Sequence, residues 1–369
     1  MKKNCKRFPV VAVIIYGLTL LSVGLYIAFR LNASFADTFN ATVSQFLRHV
    51  LAKCTSILPF SLAEWIILCF PILLIALIYG AIKYTKGSFK RMFSFLFRLF
   101  AAVGLVFCLF VWTFAPGYAA TGIDEKLDLE RKGVSETELL RATLTLTEEV
   151  NALSKEVFSL KNGSTYMPYS IAELNEKLLT AYEDFANDTE ILTTYYSKVK
   201  PVFASKFLSY SHVTGIYAFP TGEANINVDF PDYTIPYTMA HELAHQRGIA
   251  REDEANFVAY LVCMKSDDVY IRYSATLSLW EYMMNAIYTT NQEVHSMFCK
   301  IISKTVQDEE AAYAKFYSQY ADNALADVND FVNDTYLKSQ GAEEGNRSYN
   351  LVVDLAVAYF KSEGKIPVR

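Results

Sequence analysis

Residues 236–248 read PYTMAHELAHQRG and carry two histidines, His241 and His245, four residues apart with Glu242 between them. On a helix that spacing places both imidazoles on one face, one turn apart, where they can share one Zn²⁺ ion. Glu242 then stands where a carboxylate can take a proton from a water on the metal, the chemistry of metal-assisted peptide hydrolysis. A five-residue pattern of this kind also arises by accident, with the His pair merely packing, so its surroundings must carry the reading. The local signals are helical. Pro236 suits a first turn, where its missing N–H would have no partner, Arg247 suits the last turn, and Gly248 suits a left-handed stop.

A catalytic zinc keeps three protein ligands and one position for water. The segment after Gly248 supplies a third candidate. Read as a second helix, Glu252, Ala255, Asn256 and Ala259 share one face at spacings of three, four and seven. The two alanines let that face come close to the metal helix, so Glu252 points at the metal and Asn256 is placed to hydrogen-bond a ligand histidine. Asp253 and Glu254 point elsewhere, and the acidic trio also simply suits a helix N-terminus. Glu252 is therefore the expected third ligand, with Glu254 the alternative.

A Glu-x-x-Ala-Asn run after His-Glu-x-x-His resembles the glutamate-ligand zincins. The three-histidine variant of that pattern fails here, because its third position falls on Arg251. More closely, residues 200–262 and 330–359 resemble an uncharacterised bacterial membrane family, domain of unknown function 3810. The matching segments are Lys200 and Pro201, residues 219–227, 241–248 and 252–260, and Ser348 with Tyr349. The resemblance implies three membrane spans, a zincin-like domain and a peptidase, without a known substrate.

Several elements are expected to position these groups. Residues 223–230 alternate strictly, with Glu223, Asn225, Asn227 and Asp229 on one face and Ala224, Ile226, Val228 and Phe230 on the other. That is the pattern of a half-buried strand, paired as a hairpin with residues 212–219 across Pro220 and Gly222. Its face of Glu223, Asn225 and Asn227 is the candidate substrate-binding edge, since an extended peptide adds to such a strand. His212 is the kind of lone histidine that is more often structural, and His49 and His295 have no partners in sequence. Residues 124–198 read as helical scaffold, with Ser170 capping a helix from Ile171. Residues 255–336 continue helical, the stripe of Trp280, Tyr282, Met283, Met284 and Ile287 reads as core, and Asp308 to Glu310 as a solvated face. A glycine-rich loop from Gly341 leads to Arg347 and Tyr349, either of which can donate to a developing oxyanion.

The compartment follows from hydropathy and charge. Apolar residues make up 52% of the 369 and concentrate in runs over 9–29, 66–82 and 99–118, each long enough to span a bilayer. No small-residue cleavage site follows the first run, so it reads as a span rather than a signal peptide. Lys2, Lys3, Lys6 and Arg7 precede the first run, and Lys83, Lys86, Lys90, Arg91 and Arg98 lie between the second and third. The positive-inside rule then puts the N-terminus in the cytoplasm and the C-terminal domain outside. The first 98 residues hold 12 basic and 2 acidic side chains, the remainder 22 and 37. An acidic outer domain without a Lys/Arg stripe argues against a nucleic-acid partner. Six cysteines without a Cys-x-x-Cys make no disulfide framework, though Cys263 and Cys299 can pair or stay as separate thiols.

The expected architecture is thus mainly α: a membrane anchor of three transmembrane helices over residues 1–123, then a zincin-like α+β extracytoplasmic domain over 124–369. That domain carries a small β-hairpin or sheet and a helical C-terminal half. The expected function is a multi-pass, membrane-anchored zinc metallopeptidase acting on peptides or proteins. The metal motif lies well beyond the spans in sequence, which argues against cleavage inside the bilayer. Two alternatives stand beside it: a non-enzymatic membrane protein whose metal site is structural or lost and which binds a partner, and a metal-dependent amidase on cell-wall peptide.

Overall fold

The computed structural model describes residues 10–160, 163–321, 323–342, 345 and 351–366. The chain opens with α1 (Val10–Leu31), then α2 (Ala33–Phe39), a π-helical turn over Asn40–Ser44, α3 (Gln45–Thr55), α4 (Leu62–Thr85) and α5 (Phe89–Thr113). Among the described residues α1, α4 and α5 are the three helices long and apolar enough to cross a membrane. The third differs from the expected 99–118. It begins earlier and takes in Lys90, Arg91 and Arg98, whose long side chains let a charged head reach back toward water from an otherwise apolar helix. It ends at Thr113, and Pro116 opens a separate short helix, α6 (Pro116–Ala119).

After α7 (Ile123–Lys126), α8 (Glu136–Leu153) and α9 (Ile171–Thr189) form the scaffold. Each starts with a capping box, Ser135 with Glu138 and the expected Ser170 with Glu173, so the first free N–H groups of both helices are met locally. The sheet has three short strands, β1 (Lys200–Pro201), β2 (Gly215–Ala218) and β3 (Glu223–Ile226), with α10 (Ser205–Tyr210) between the first two. Its order is β1-β3-β2, with β1 parallel and β2 antiparallel to β3. Then come α11 (Thr234–Gln246), α12 (Glu252–Met264), α13 (Val269–Thr290), α14 (Gln292–Ile301), α15 (Lys304–Tyr317), α16 (Ala324–Gln340) and α17 (Val352–Ser362). One apolar core joins α8, α9, α11, α12, α13 and α17. It includes the expected stripe residues Trp280, Met283, Met284 and Ile287.

Residues on the two sides of the expected boundary at 123 pack together. A second core cluster takes Phe29 from α1, Phe110 and Val111 from α5, Phe114 and Ala115 after it, Tyr217 from β2 and Ala250 from the turn before α12. Polar ties reinforce it. Arg48 on α3 is only 1% exposed. Its guanidinium donates to Asn40 Oδ1 at 2.8 Å, to the Thr113 carbonyl at the end of α5 at 2.6 Å, and to the Arg247 carbonyl at 3.4 Å. The loop between the first two spans is therefore part of the folded domain.

The substrate-edge expectation for Glu223, Asn225 and Asn227 is overturned. β3 is the central strand and all its residues are buried. The polar face is buried and bonded mainly within the protein rather than presented to a ligand, although Asn225 Oδ1 has no hydrogen-bond partner among the described residues. Glu223 accepts from the Leu62 and Ala63 N–H groups at 3.0 and 2.8 Å and pairs with Lys200 at 2.7 Å, so it caps the second span. Asn225 donates to the Ile216 and Glu223 carbonyls, and Asn227 to Ser209 Oγ and the Val213 carbonyl.

The solvated face expected at 308–310 is also overturned. Glu309 is 1% exposed, and it accepts from the Thr165 N–H at 2.8 Å and from the Thr165 hydroxyl. Burial pushes its carboxyl up to about 7, with Asp232 and Glu310 adding in the same direction and the Thr165 bonds opposing. The folded chain thus holds this proton more tightly than the unfolded chain. The resulting stability is complete below about pH 4.5, the ordinary glutamate value, and fades as pH rises through about 7. Glu309→Gln is expected to match wild type at pH 4.5 and to be more stable by about 1–3 kcal/mol at pH 8. The readout is the difference between the two denaturation midpoints at each pH, and an equal difference at both would contradict the assignment.

Candidate metal centre

α11 is buried on nearly every side, which is why its sequence lacks a clean polar stripe. His241 and His245 lie on it one turn apart, rings edge to face with centroids 4.5 Å apart. The helix stops as expected at Gly248, which has φ +98°. A side chain is doubly excluded there, since a Cβ would stand 2.4 Å from Arg48 Nη2. The reversal carries the chain into α12, whose first residue is Glu252. Its Oε2 lies 3.2 Å from His241 Nε2 and 3.3 Å from His245 Nε2. Among the described residues, His241, His245 and Glu252 form the one group whose donor atoms could hold a metal ion, all within 4.8 Å of one another.

The chemistry of the donor set suits a cation. His245 Nδ1 lies 2.7 Å from the Ile249 carbonyl, which only accepts, so Nδ1 carries the proton. In the neutral ring Nε2 then presents a lone pair, and that lone pair faces a carboxylate oxygen. Such convergence in a buried place calls for positive charge. Burial opposes a charged His245, yet Glu252 beside it carries the imidazole up to about 9. Burial would raise Glu252, but His245 and His241 hold it well below the usual carboxylate range.

The alternative ligand is turned away. Glu254 accepts from the Ile123 N–H at 2.9 Å and pairs with Arg251 at 2.7 Å, tying α12 to α7. Asn256 lines the same cavity as the ligands, but the hydrogen bond expected from it to a ligand histidine does not form. One turn along α12 it meets Tyr282 of α13, while the Tyr237 hydroxyl donates to its carbonyl. The group that orients His245 is the Ile249 carbonyl instead. His212 lies on the cavity wall, held between the Tyr317 hydroxyl and the Tyr320 carbonyl, each at 3.0 Å, and is not in the ligand set. Cys263 is buried and Cys299 exposed, both as free thiols. Arg347 and Tyr349 lie outside the described residues.

Glu242 is 4% exposed and leans on β2, where the Tyr217 N–H donates to it. Gly215 makes that approach feasible, since a Cβ there would stand 2.6 Å from Glu242 Oε1. Burial pushes the Glu242 carboxyl up to about 6, with His241 and His245 pulling down. Its Oε2 is buried with no hydrogen-bond partner among the described residues. β2 is the true edge of the sheet on this side, and Gly215, Ile216 and Tyr217 line the cavity.

The cavity measures about 850 Å³ and opens over His241, Glu242, His245 and Glu252. Among the wall residues that escaped sequence reasoning are Phe114, Tyr118, Tyr282 and Tyr336. Tyr282 had a signal. Ser278, Glu281, Tyr282 and Asn285 share a helical face at spacings of three, four and seven, a polar stripe on an otherwise apolar helix, and all four line the cavity. Phe114, Tyr118 and Tyr336 had none, because tertiary packing alone brings them in. Burial raises Tyr336 to about 12 and drives Tyr282 higher still, and the Glu252 charge adds to both.

No curated protein matches the chain, and no solved structure does. A family model described as "Protein of unknown function (DUF3810)" matches residues 39–357, a span that contains the whole ligand group, Glu242 and the last two candidate spans. The chain belongs to the DUF3810 family of proteins of unknown function.

Proposed function

We propose that the chain is a membrane-anchored zinc peptidase. The observation that carries this reading is the meeting of three converging ligand atoms with the Glu242 carboxylate on the wall of one open cavity. Structural zinc sites are closed by four protein ligands, whereas catalytic ones keep three and leave a position free. Zn²⁺ held by His241, His245 and Glu252 would supply a Lewis acid for a carbonyl and a lowered pKa for water. Glu242 takes a proton from the attacking water and returns it to the leaving amine. The Tyr282 and Tyr336 hydroxyls, which line the cavity within the influence of Glu252, are the donors for a developing oxyanion. The outer edge of β2 supports an extended peptide beside Glu242. The test is hydrolysis of an unstructured protein such as casein by the full chain in detergent. Activity should vanish with a chelator and return with zinc. Bound zinc without hydrolysis of any substrate would favour the structural-site alternative.

The Lys/Arg asymmetry supports an extracytoplasmic site. A reporter fused after Arg369 should then be active outside the cytoplasm and one inserted between Thr85 and Lys90 inside. The reverse pattern would overturn the orientation and move the substrate to the cytoplasm.

A further inference from the structure

The walls of the cavity hang from the membrane helices. Phe114 directly follows α5, and its ring meets His245 edge-on at 5.8 Å. Tyr118 lines the metal cavity and also a second cavity, of about 500 Å³, bounded by Tyr26, Phe29 and Arg30 at the domain-side end of α1. α16 supplies the wall residues Asn329, Val332 and Tyr336. Its last turn is fastened to that same end of α1: the Tyr26 hydroxyl donates to Gln340 Oε1 at 3.2 Å and Arg30 to the Ser339 carbonyl at 3.3 Å. The segment entering α10 is fastened to the first turn of α4, where Glu64 accepts from the Phe203 and Ala204 N–H groups at 3.0 and 2.7 Å. The far end of α10 meets α16, Asn329 donating to the Ser211 carbonyl at 3.1 Å. Sequence distance therefore misleads: the metal site is separated from the third span by a single aromatic ring.

The same two elements form an apolar rim. Phe203 is 89% exposed, Phe207 55% and Phe331 73%, with Val328 and Val332 exposed beside Phe331. Side chains of this size are rarely left facing bulk water in a cluster, and aromatic ones favour the bilayer interface. One rim element is tied beside Phe203 to the first turn of α4, and the other is tied through its last turn to the domain-side end of α1.

We propose that the substrate is the segment of a membrane-anchored polypeptide immediately beside its own span or lipid anchor. It enters from the bilayer surface across the α10–α16 rim rather than from bulk water. This proposal rests on the peptidase reading above. Anchoring enzyme and substrate in one sheet raises their effective concentration, so no high intrinsic affinity is needed. An extended chain advances about 3.3 Å per residue, so the scissile bond falls within the first few residues beyond the substrate's anchor.

The experiment reconstitutes the zinc-loaded full chain in liposomes with one unstructured cassette offered in two forms, fused to a transmembrane helix or as a free peptide at equal total concentration. The tethered form should be cut at least about tenfold faster, in line with the gain from tethering, and within the first few residues beyond its span. The double variant Phe203→Asp, Phe331→Asp should slow cutting of the tethered form and leave the free-peptide rate unchanged. Equal rates on both forms, or cuts spread evenly along the tethered cassette, overturn the proposal and leave the peptidase reading standing. A dimer in detergent that the double variant abolishes would assign the rim to a second copy and equally overturn it. Hydrolysis of neither form, with zinc bound, overturns the peptidase reading and this proposal together.

Discussion

Glu242→Gln is expected to keep its zinc and to lose hydrolysis by roughly 10²–10⁴-fold, the usual contribution of a general base. The substitution preserves shape, and the amide oxygen can still accept from the Tyr217 N–H that holds the carboxylate against β2. Glu242 is not among the three converging ligands, so metal content has no reason to change. What disappears is the ability to take a proton. Zinc content and the rate on casein, measured on the same preparation, decide the matter. Loss of zinc would make Glu242 a ligand, and an unchanged rate would remove it from the chemistry.

Removing a ligand should act the other way round. Glu252→Ala and His245→Ala each leave two donors where three converge, and zinc affinity should fall by at least the order of 10²-fold seen when groups supporting a metal site are lost. Glu254→Ala is the informative control. Its carboxylate serves the Ile123 N–H and Arg251, so the variant should retain zinc while unfolding more readily, by about 1–3 kcal/mol for a buried donor left without its partner. Metal titration of the three variants in detergent, beside their thermal midpoints, separates the two roles. Zinc lost from Glu254→Ala but retained by Glu252→Ala would reverse the assignment.

The parts legible in the sequence are those governed by local rules. The His241–His245 spacing, the stop at Gly248 and the Glu252 helix face depend on one helix and the turn after it, and the spans depend on composition. What local rules miss is decided across the chain. The alternation in 223–230 correctly marks a strand, but alternation says nothing about what covers the polar face. Here the N-terminus of α4 and Lys200 cover it, from residues distant in sequence. The charges of residues 308–310 suggest solvent, yet Thr165 folds over Glu309. The edge strand beside Glu242 is short and glycine-started, too brief for any periodicity to single it out.

The Arg48 tie also sets an order of assembly. Chains are made from the N-terminus, and domains generally fold in that direction during synthesis. Arg48, Asn40 and the Thr113 carbonyl all leave the ribosome before the metal helix exists, so this part of the network can form first among the inserted spans. The Arg247 carbonyl arrives last and finds a guanidinium already held in place. Glu223 likewise meets an α4 N-terminus made long before it. The membrane segments thus act as a template on which the C-terminal half condenses, and a chain begun after residue 123 would have to fold without it.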